Sequence, residues 1–94
     1  MTPIERYHQR LREIGCIACI MVLGVRETPC EVHHLFDAHQ RNDWLCVGLC
    51  AGHHRGVPGV VGFHPGGERR FRAAYGIGEV DLLSRTIAEI ERGR

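Results

Sequence analysis

Two short ligand pairs constrain this chain more than any other feature. Cys16-Ile17-Ala18-Cys19 sets two thiols three residues apart, and Cys50-Ala51-Gly52-His53 repeats that spacing with a thiol and an imidazole. Each pair can grip one side of a cation, and together they supply the four soft donors that tetrahedral structural zinc prefers. Buried core cysteines or a redox dithiol would account for Cys16 and Cys19, but neither explains the matching pair at Cys50. The separation between the halves exceeds that of a compact finger, so a structural insert must lie between them.

The rest of the composition agrees with a metal staple. The chain has 94 residues, 5 cysteines and 7 histidines, but only 6% aromatic residues to fill a core. A chain this short buries only about 60–65% of its unfolded surface, so an added cross-link is expected. An odd cysteine count, histidines beside the cysteines and no leading apolar run favour metal in a reducing cytoplasm over a secreted disulfide scaffold. No apolar stretch reaches the roughly 20 residues that span a bilayer, since Ile14 to Val25 is broken by Gly15 and Gly24, so no membrane partner is expected. The net charge of +1 conceals an uneven distribution: all 12 basic residues are arginine, and Arg55 to Arg72 holds four of them against one glutamate. The lack of lysine fits GC-rich codon usage, while the local strip suits phosphate through arginine's planar fork.

One domain over residues 1–94 is expected. Thr2-Pro3-Ile4-Glu5 reads as a capping box, and Ile4, Tyr7, Leu11 and Ile14 follow at helical spacing, predicting a helix over about 3–14 that stops at Gly15. Cys16 to Cys19 then forms a turn, and Ile20 to Val25 reads as strand or buried loop. Glu31 to Leu35 and Trp44 to Leu49 read as a hairpin joined by Asp37 to Asp43. A short helix opens after Cys50, a glycine-rich loop covers Gly56 to Gly67, and helices are predicted over Glu68 to Tyr75 and Glu79 to Arg92. The last is expected to bury Val80, Leu83, Ile87 and Ile90. The class is α+β, with helices at about 3–14 and 79–92 flanking a zinc-stapled hairpin-and-helix core at about 16–76.

A second constellation consists of histidines. Neighbours on a strand leave on opposite faces, so His33 and His34 have different tasks. Neighbours on a helix diverge by about 100°, so if His53 joins the zinc, His54 points elsewhere. The simplest arrangement brings His54 and one strand histidine to a second metal, with the other strand histidine acting on water and His64 as a further candidate ligand. His8, His39, Cys30 and Cys46 read as background, the two cysteines as buried or half-buried thiols.

The order Glu31-Val32-His33-His34-Leu35, then Leu49-Cys50 and His53-His54, resembles the HNH endonucleases, whose ββα-metal motif grips one divalent cation between a hairpin and a helix. The fuller run, Gly48 to Gly56, His64-Pro65-Gly66-Gly67 and Phe71 to Gly76, is most similar to the phage-encoded Ref family of RecA-dependent nucleases. The resemblance spans roughly Cys16 to Gly76. It implies that His34 is the general base, assisted by His33, and that His33 and His54, with His64, hold a catalytic cation, Mg2+ or another divalent metal. It also implies Zn2+ on Cys16, Cys19, Cys50 and His53. Two departures stand out. The zinc set is CysCysCysHis, and the asparagine that orients the base has no counterpart: Asn42 lies too far upstream, Leu45 fills the expected neighbourhood, and a backbone carbonyl is expected to serve instead.

The function that follows is a metal-dependent DNA endonuclease hydrolysing phosphodiester bonds with a histidine base, acting on DNA with a RecA-type recombinase filament as partner. Arg55, Arg69, Arg70 and Arg72 would hold flanking phosphates. Two rivals remain: a non-catalytic zinc-stabilised DNA-binding module whose histidines hold a second structural zinc, and an HNH nuclease of phage packaging or homing type that cuts naked DNA.

Overall fold

A computed structural model describes residues 1–36 and 42–93 of the chain. His39, and most of the expected hairpin connection, lie outside the described residues.

Helix α1 spans Pro3–Ile14, with both arms of the capping box formed: Glu5 N–H donates to Thr2 Oγ1, and Thr2 N–H donates to Glu5. It ends at Gly15, where φ is +88° and a Cβ would meet Thr28 O at 2.8 Å, so only glycine fits. Leu11 is the fully buried residue of this helix, and the Tyr7 hydroxyl donates to Cys46 O at 2.9 Å, tying the helix to the sheet.

The segment after Cys16 departs from expectation. Ile17 and Ala18 are helical and Cys19–Leu23 forms a wide π-helical turn, closed by Gly24 in the left-handed region. Burial explains the difference. Cys16, Ile17, Ala18, Cys19 and Ile20 are consecutively buried, which a strand of period two with one solvated face would not give, while Val22, Leu23 and Val25 are exposed.

Strands β1 (Glu31–His34) and β2 (Cys46–Leu49) pair antiparallel, with Glu31 opposite Leu49 and His34 opposite Cys46. Both are shorter than the sequence pattern suggests. Asn42 accounts for the late start of β2: its side chain accepts from Trp44 N–H and its carbonyl from Leu45 N–H, so Trp44 and Leu45 belong to a turn. All four β2 residues are buried, and Gly48 has no alternative, since a Cβ there would lie 2.6 Å from Cys30 Sγ.

Helix α2 (Ala51–Arg55) follows at once, then α3 (Gly67–Tyr75) and α4 (Glu79–Arg92). Among the described residues the fold is thus α+β, a two-stranded sheet with four α-helices. Helix α2 packs on both strands, and α1 and α4 pack on the sheet and on each other. The core is built from Ile17, Ile20, Leu35, Val47, Leu49, Phe63, Phe71 and Leu82 around the buried cysteines.

The face that α4 buries is not the one its apolar spacing suggests. Glu79, Leu82, Thr86 and Glu89 are buried, Leu83 and Ile90 are half-buried, and Val80 and Ile87 are exposed. The polar members are tolerated because each is satisfied: Thr86 Oγ1 donates to Leu82 O, Glu79 accepts from Phe36 N–H, and Glu89 gathers Arg26, Arg85 and Arg92. The Arg26 guanidinium, with Arg85 adding to it against the cost of burial, brings the Glu89 carboxyl down to about 2 from its ordinary value of 4.5. A folded-state value below the unfolded one means stabilisation that is complete above the ordinary carboxylate range and lost as pH falls through it. Glu89→Gln should therefore be less stable than wild type at pH 7 in urea unfolding. The gap should begin to close as pH falls through about 4.5 and vanish as it approaches 2.

Candidate metal centres

The first centre joins the two ligand pairs noted in the sequence. His53 Nδ1 lies 3.6 Å from Cys16 Sγ, 3.5 Å from Cys19 Sγ and 3.3 Å from Cys50 Sγ, and Cys19 Sγ is 3.8 Å from Cys50 Sγ. With Zn–S near 2.3 Å and Zn–N near 2.0–2.1 Å, a tetrahedral shell has S···S edges of about 3.8 Å and S···N edges of about 3.6 Å. These four separations match the edges of a tetrahedron of zinc size, and the cluster could hold a metal such as zinc. Two backbone groups face the sulfurs, Cys19 N–H to Cys16 Sγ at 3.3 Å and His53 N–H to Cys50 Sγ at 3.4 Å, which favours thiolate over thiol. Burial, reinforced by the neighbouring Cys50 and Cys19 thiols and opposed by backbone hydrogen bonds, pushes Cys16 up to about 12, so cation uptake here must release a proton. Burial also lowers His53, keeping it the neutral donor that a ligand must be.

The second centre is built from three elements. His33 comes from β1, His54 from α2 and His64 from the loop before α3, and their ring centroids form a triangle of 5.0, 5.3 and 5.4 Å sides. One donor atom from each lies within 4.8 Å of the others. His64 reaches this position because the glycine loop folds back on α2 by two backbone bonds, Phe63 N–H to His53 O and His64 N–H to His54 O, both 2.8 Å. Gly62 permits the approach, since a Cβ there would lie 2.2 Å from Gly56 N.

Burial grades the three rings. His33 is 3% exposed, His54 is half-buried and His64 is exposed, leaving one side open to solvent. Burial, with His54, His64 and His34 adding to it, drives His33 down to about 3, so it stays neutral. Its Nε2 is buried and makes no hydrogen bond among the described residues, a costly state for a polar atom that a bound cation would relieve. His54 Nδ1 donates to Glu31 Oε1 at 2.9 Å, which leaves Nε2 as its lone-pair nitrogen. That bond, ahead of the contribution from Arg55, holds the Glu31 carboxyl below its usual range. A carboxylate behind a ligand histidine is the arrangement that fixes ring orientation in metal sites.

His34 leaves β1 on the other face, as strand alternation requires. Its Nε2 donates to Asp43 Oδ1 at 2.8 Å, so a carboxylate, where a backbone carbonyl was expected, is its partner. His8, read as background in the sequence, bonds through Nε2 to Asp43 O at 2.7 Å. The arginines are not equivalent. Arg55 closes a fork on Glu31, with Nε to Oε1 at 3.1 Å and the terminal nitrogen to Oε2 at 2.7 Å, and Arg72 pairs with Glu68 at 3.7 Å. Arg70 donates to Pro65 O, and Arg69 has no carboxylate partner among the described residues. Cys46 is buried and Cys30 half-buried.

Sequence reasoning missed Glu31, Asp43 and His8. Glu31 left a trace, because it precedes His33 by two residues and so shares its face of the strand. Asp43 and His8 left none, since their bonds cross between elements.

In this small α+β domain one short helix lends His53 to a Cys3His cluster and His54 to a three-histidine cluster, and each cluster could hold a metal ion. Residues 2–91 match the family described as recombination enhancement, RecA-dependent nuclease, and the chain belongs to that family. The family name makes it a nuclease of recombination, with DNA as substrate and dependence on RecA. Neither curated proteins nor solved structures give a match. Among the described residues, no helix is long and apolar enough to cross a membrane.

The tetrahedral cluster generates a direct test. Cys19→Ser, or chelation of the wild type, should lower zinc content and collapse the helical circular dichroism together, because binding energy in such a cluster is folding energy.

Proposed function

We propose that this chain is a metal-dependent DNA endonuclease of the HNH type, hydrolysing phosphodiester bonds in DNA presented by a RecA filament. The observation that carries the reading is the convergence of His33, His54 and His64 on one point, with a buried, unbonded His33 Nε2 at its deepest corner. His33, His54 and His64 hold the catalytic cation, and Cys16, Cys19, Cys50 and His53 hold structural zinc. Three neutral nitrogen donors suit a transition metal, while Mg2+ would be held there only with several waters retained.

Bound there, a divalent cation would supply Lewis acidity to the phosphate and to the departing 3′-oxygen. His34 takes a proton from the attacking water, a task for which a neutral imidazole is suited near pH 7. Asp43 fixes the donor side of that ring. Glu31 orients His54, and Arg55, locked on Glu31, braces the carboxylate and is a weaker candidate for phosphate than its sequence position suggests. Arg69 and Arg70, exposed and without carboxylate partners among the described residues, hold the flanking phosphates.

Two measurements test this reading. With Mn2+ or Mg2+ and DNA on a RecA filament, His34→Ala should lower cleavage by about 10²-fold or more while zinc content and DNA affinity stay unchanged. Wild-type protein that cuts neither filament DNA nor naked DNA with any divalent cation would leave the DNA-binding module as the answer. Separately, Glu31→Gln should weaken Mn2+ or Co2+ binding at the histidine cluster by about 10- to 100-fold, with the zinc of the cysteine cluster retained. Unchanged affinity would remove Glu31 from the metal site.

A further inference from the structure

Asp43 uses its two oxygen-bearing groups toward two different histidines. Its carbonyl accepts from His8 Nε2 at 2.7 Å, and its carboxylate accepts from His34 Nε2 at 2.8 Å. Neither an amide carbonyl nor an ionised carboxylate has a proton to give, so both histidines carry hydrogen on Nε2. The turn that presents Asp43 is itself anchored. Asn42 Oδ1 accepts from Trp44 N–H at 2.9 Å, and Leu45 N–H donates to Asn42 O at 3.0 Å. The Trp44 ring leans on Tyr7 at 5.5 Å, and the Tyr7 hydroxyl is fixed on Cys46 O. The His8 ring meets the His34 ring edge-on at 6.4 Å. Asp43 is therefore gripped from α1 and from its own turn before it reaches the sheet.

We infer that Asp43 is the positioning residue of His34: its carboxylate holds the ring in the Nε2–H tautomer and in one orientation, and His8 anchors the Asp43 backbone from α1. The inference rests on the reading of His34 as the base. In the neutral Nε2–H form, Nδ1 is the nitrogen with the lone pair. The water proton passes to Nδ1 as the water oxygen bonds to phosphorus and the P–O3′ bond breaks. That proton then returns through solvent to the departing 3′-oxygen, which leaves a 5′-phosphate and a 3′-hydroxyl. Throughout, the Asp43 carboxylate faces the ring while the ring carries the extra proton, the role of an orienting carboxylate behind a histidine base.

This assigns a task to a residue pair outside both metal clusters. It also accounts for the missing asparagine, because a side-chain carboxylate from the turn before β2 does the orienting. His8 acquires a role that its position on a flanking helix did not suggest.

The experiment uses the zinc-loaded full chain with 15N-labelled histidine, and three variants: Asp43→Ala, Asp43→Asn and His8→Gln. Wild type should show a His34 Nε2–H resonance protected from solvent exchange, and Asp43→Ala should lose it. On RecA-filament DNA with Mn2+, Asp43→Ala should lower kcat by about 10²-fold or more, with KM for DNA within about twofold of wild type, and Asp43→Asn, whose amide oxygen can still accept from Nε2–H, should retain more activity than Asp43→Ala. His8→Gln, which keeps an N–H donor, should stay within about threefold of wild type in kcat, as an anchor one step from the ring allows. A protected Nε2–H in Asp43→Ala, an unprotected one in wild type, or a loss confined to KM would overturn the inference. Fully active Asp43→Ala beside inactive His34→Ala sinks the Asp43 inference alone. An active His34→Ala enzyme sinks instead the reading of His34 as base.

Discussion

His53 Nδ1 sits within 3.6 Å of three sulfurs, and that contact fixes the helix on which both clusters depend. Helix α2 has five residues, far below the length at which a helix holds itself together in water. Its stability comes from cross-ties: Cys50 Sγ accepts from His53 N–H at its start, the His53 ring enters the sulfur cluster, and the His54 ring binds Glu31. Two backbone bonds from Phe63 and His64 then lie along it. Because consecutive helical side chains diverge by about 100°, one short helix can serve two clusters without sharing a ligand. The same divergence makes the second cluster conditional on the first. If His53 is released from the sulfurs, the register that presents His54 to His33 has little else to hold it.

The histidines are distinguished by what surrounds them. His33 is sealed beneath Phe63, whose ring centroid is 4.5 Å away, and in that apolar setting it cannot take a proton near neutral pH. His54 has a carboxylate behind it and His64 has solvent beside it. On the opposite face of β1, His34 has its own carboxylate in Asp43. The same device thus occurs twice, once on each side of one strand. In each case an acidic oxygen fixes the hydrogen on one ring nitrogen and leaves the other nitrogen as the lone-pair donor. On the proposed reading, the two histidines then differ in what the lone-pair nitrogen serves, a cation or a water.

Much of this was legible in the chain because the decisive features are local. A C-x2-C beside a C-x2-H encodes its own geometry, and doublet histidines on a strand or helix must diverge whatever else the fold does. The capping box set α1 to the residue, and the strand pair and terminal helices followed from pattern and glycine stops. What was not legible depends on contacts between distant parts. The α4 face turned because Glu79, Thr86 and Glu89 find partners in Phe36, Leu82 and Arg26, and no periodicity anticipates a buried glutamate whose charge is answered from 63 residues away. The π-helical turn after Cys16 lies in an unbroken apolar run from Cys16 to Leu23, which in sequence reads equally as strand or buried loop, and only the burial of Cys16 to Ile20 beside the exposure of Val22 and Leu23 tells them apart. Asp43 and His8 were passed over for the same reason, since nothing in their spacing relates them to His34.

The arginines show why net charge was a poor guide. A total of +1 suggests no electrostatic preference, and the arginine-rich strip from Arg55 to Arg72 suggests a strong one. Neither number says which guanidinium groups are available. Arg10, Arg26, Arg55, Arg72, Arg85 and Arg92 each lie within 4 Å of a carboxylate, and three of them converge on Glu89 alone. An arginine already held bidentate gains little from a phosphate, because the new contact must replace an existing charge-assisted pair. Among the described residues Arg69 and Arg70 have no such competitor, and they stand exposed on α3 and follow His64 by five and six residues. On the proposed reading, phosphate recognition falls to the arginines of this strip that have no carboxylate partner among the described residues, and these follow His64 closely in sequence.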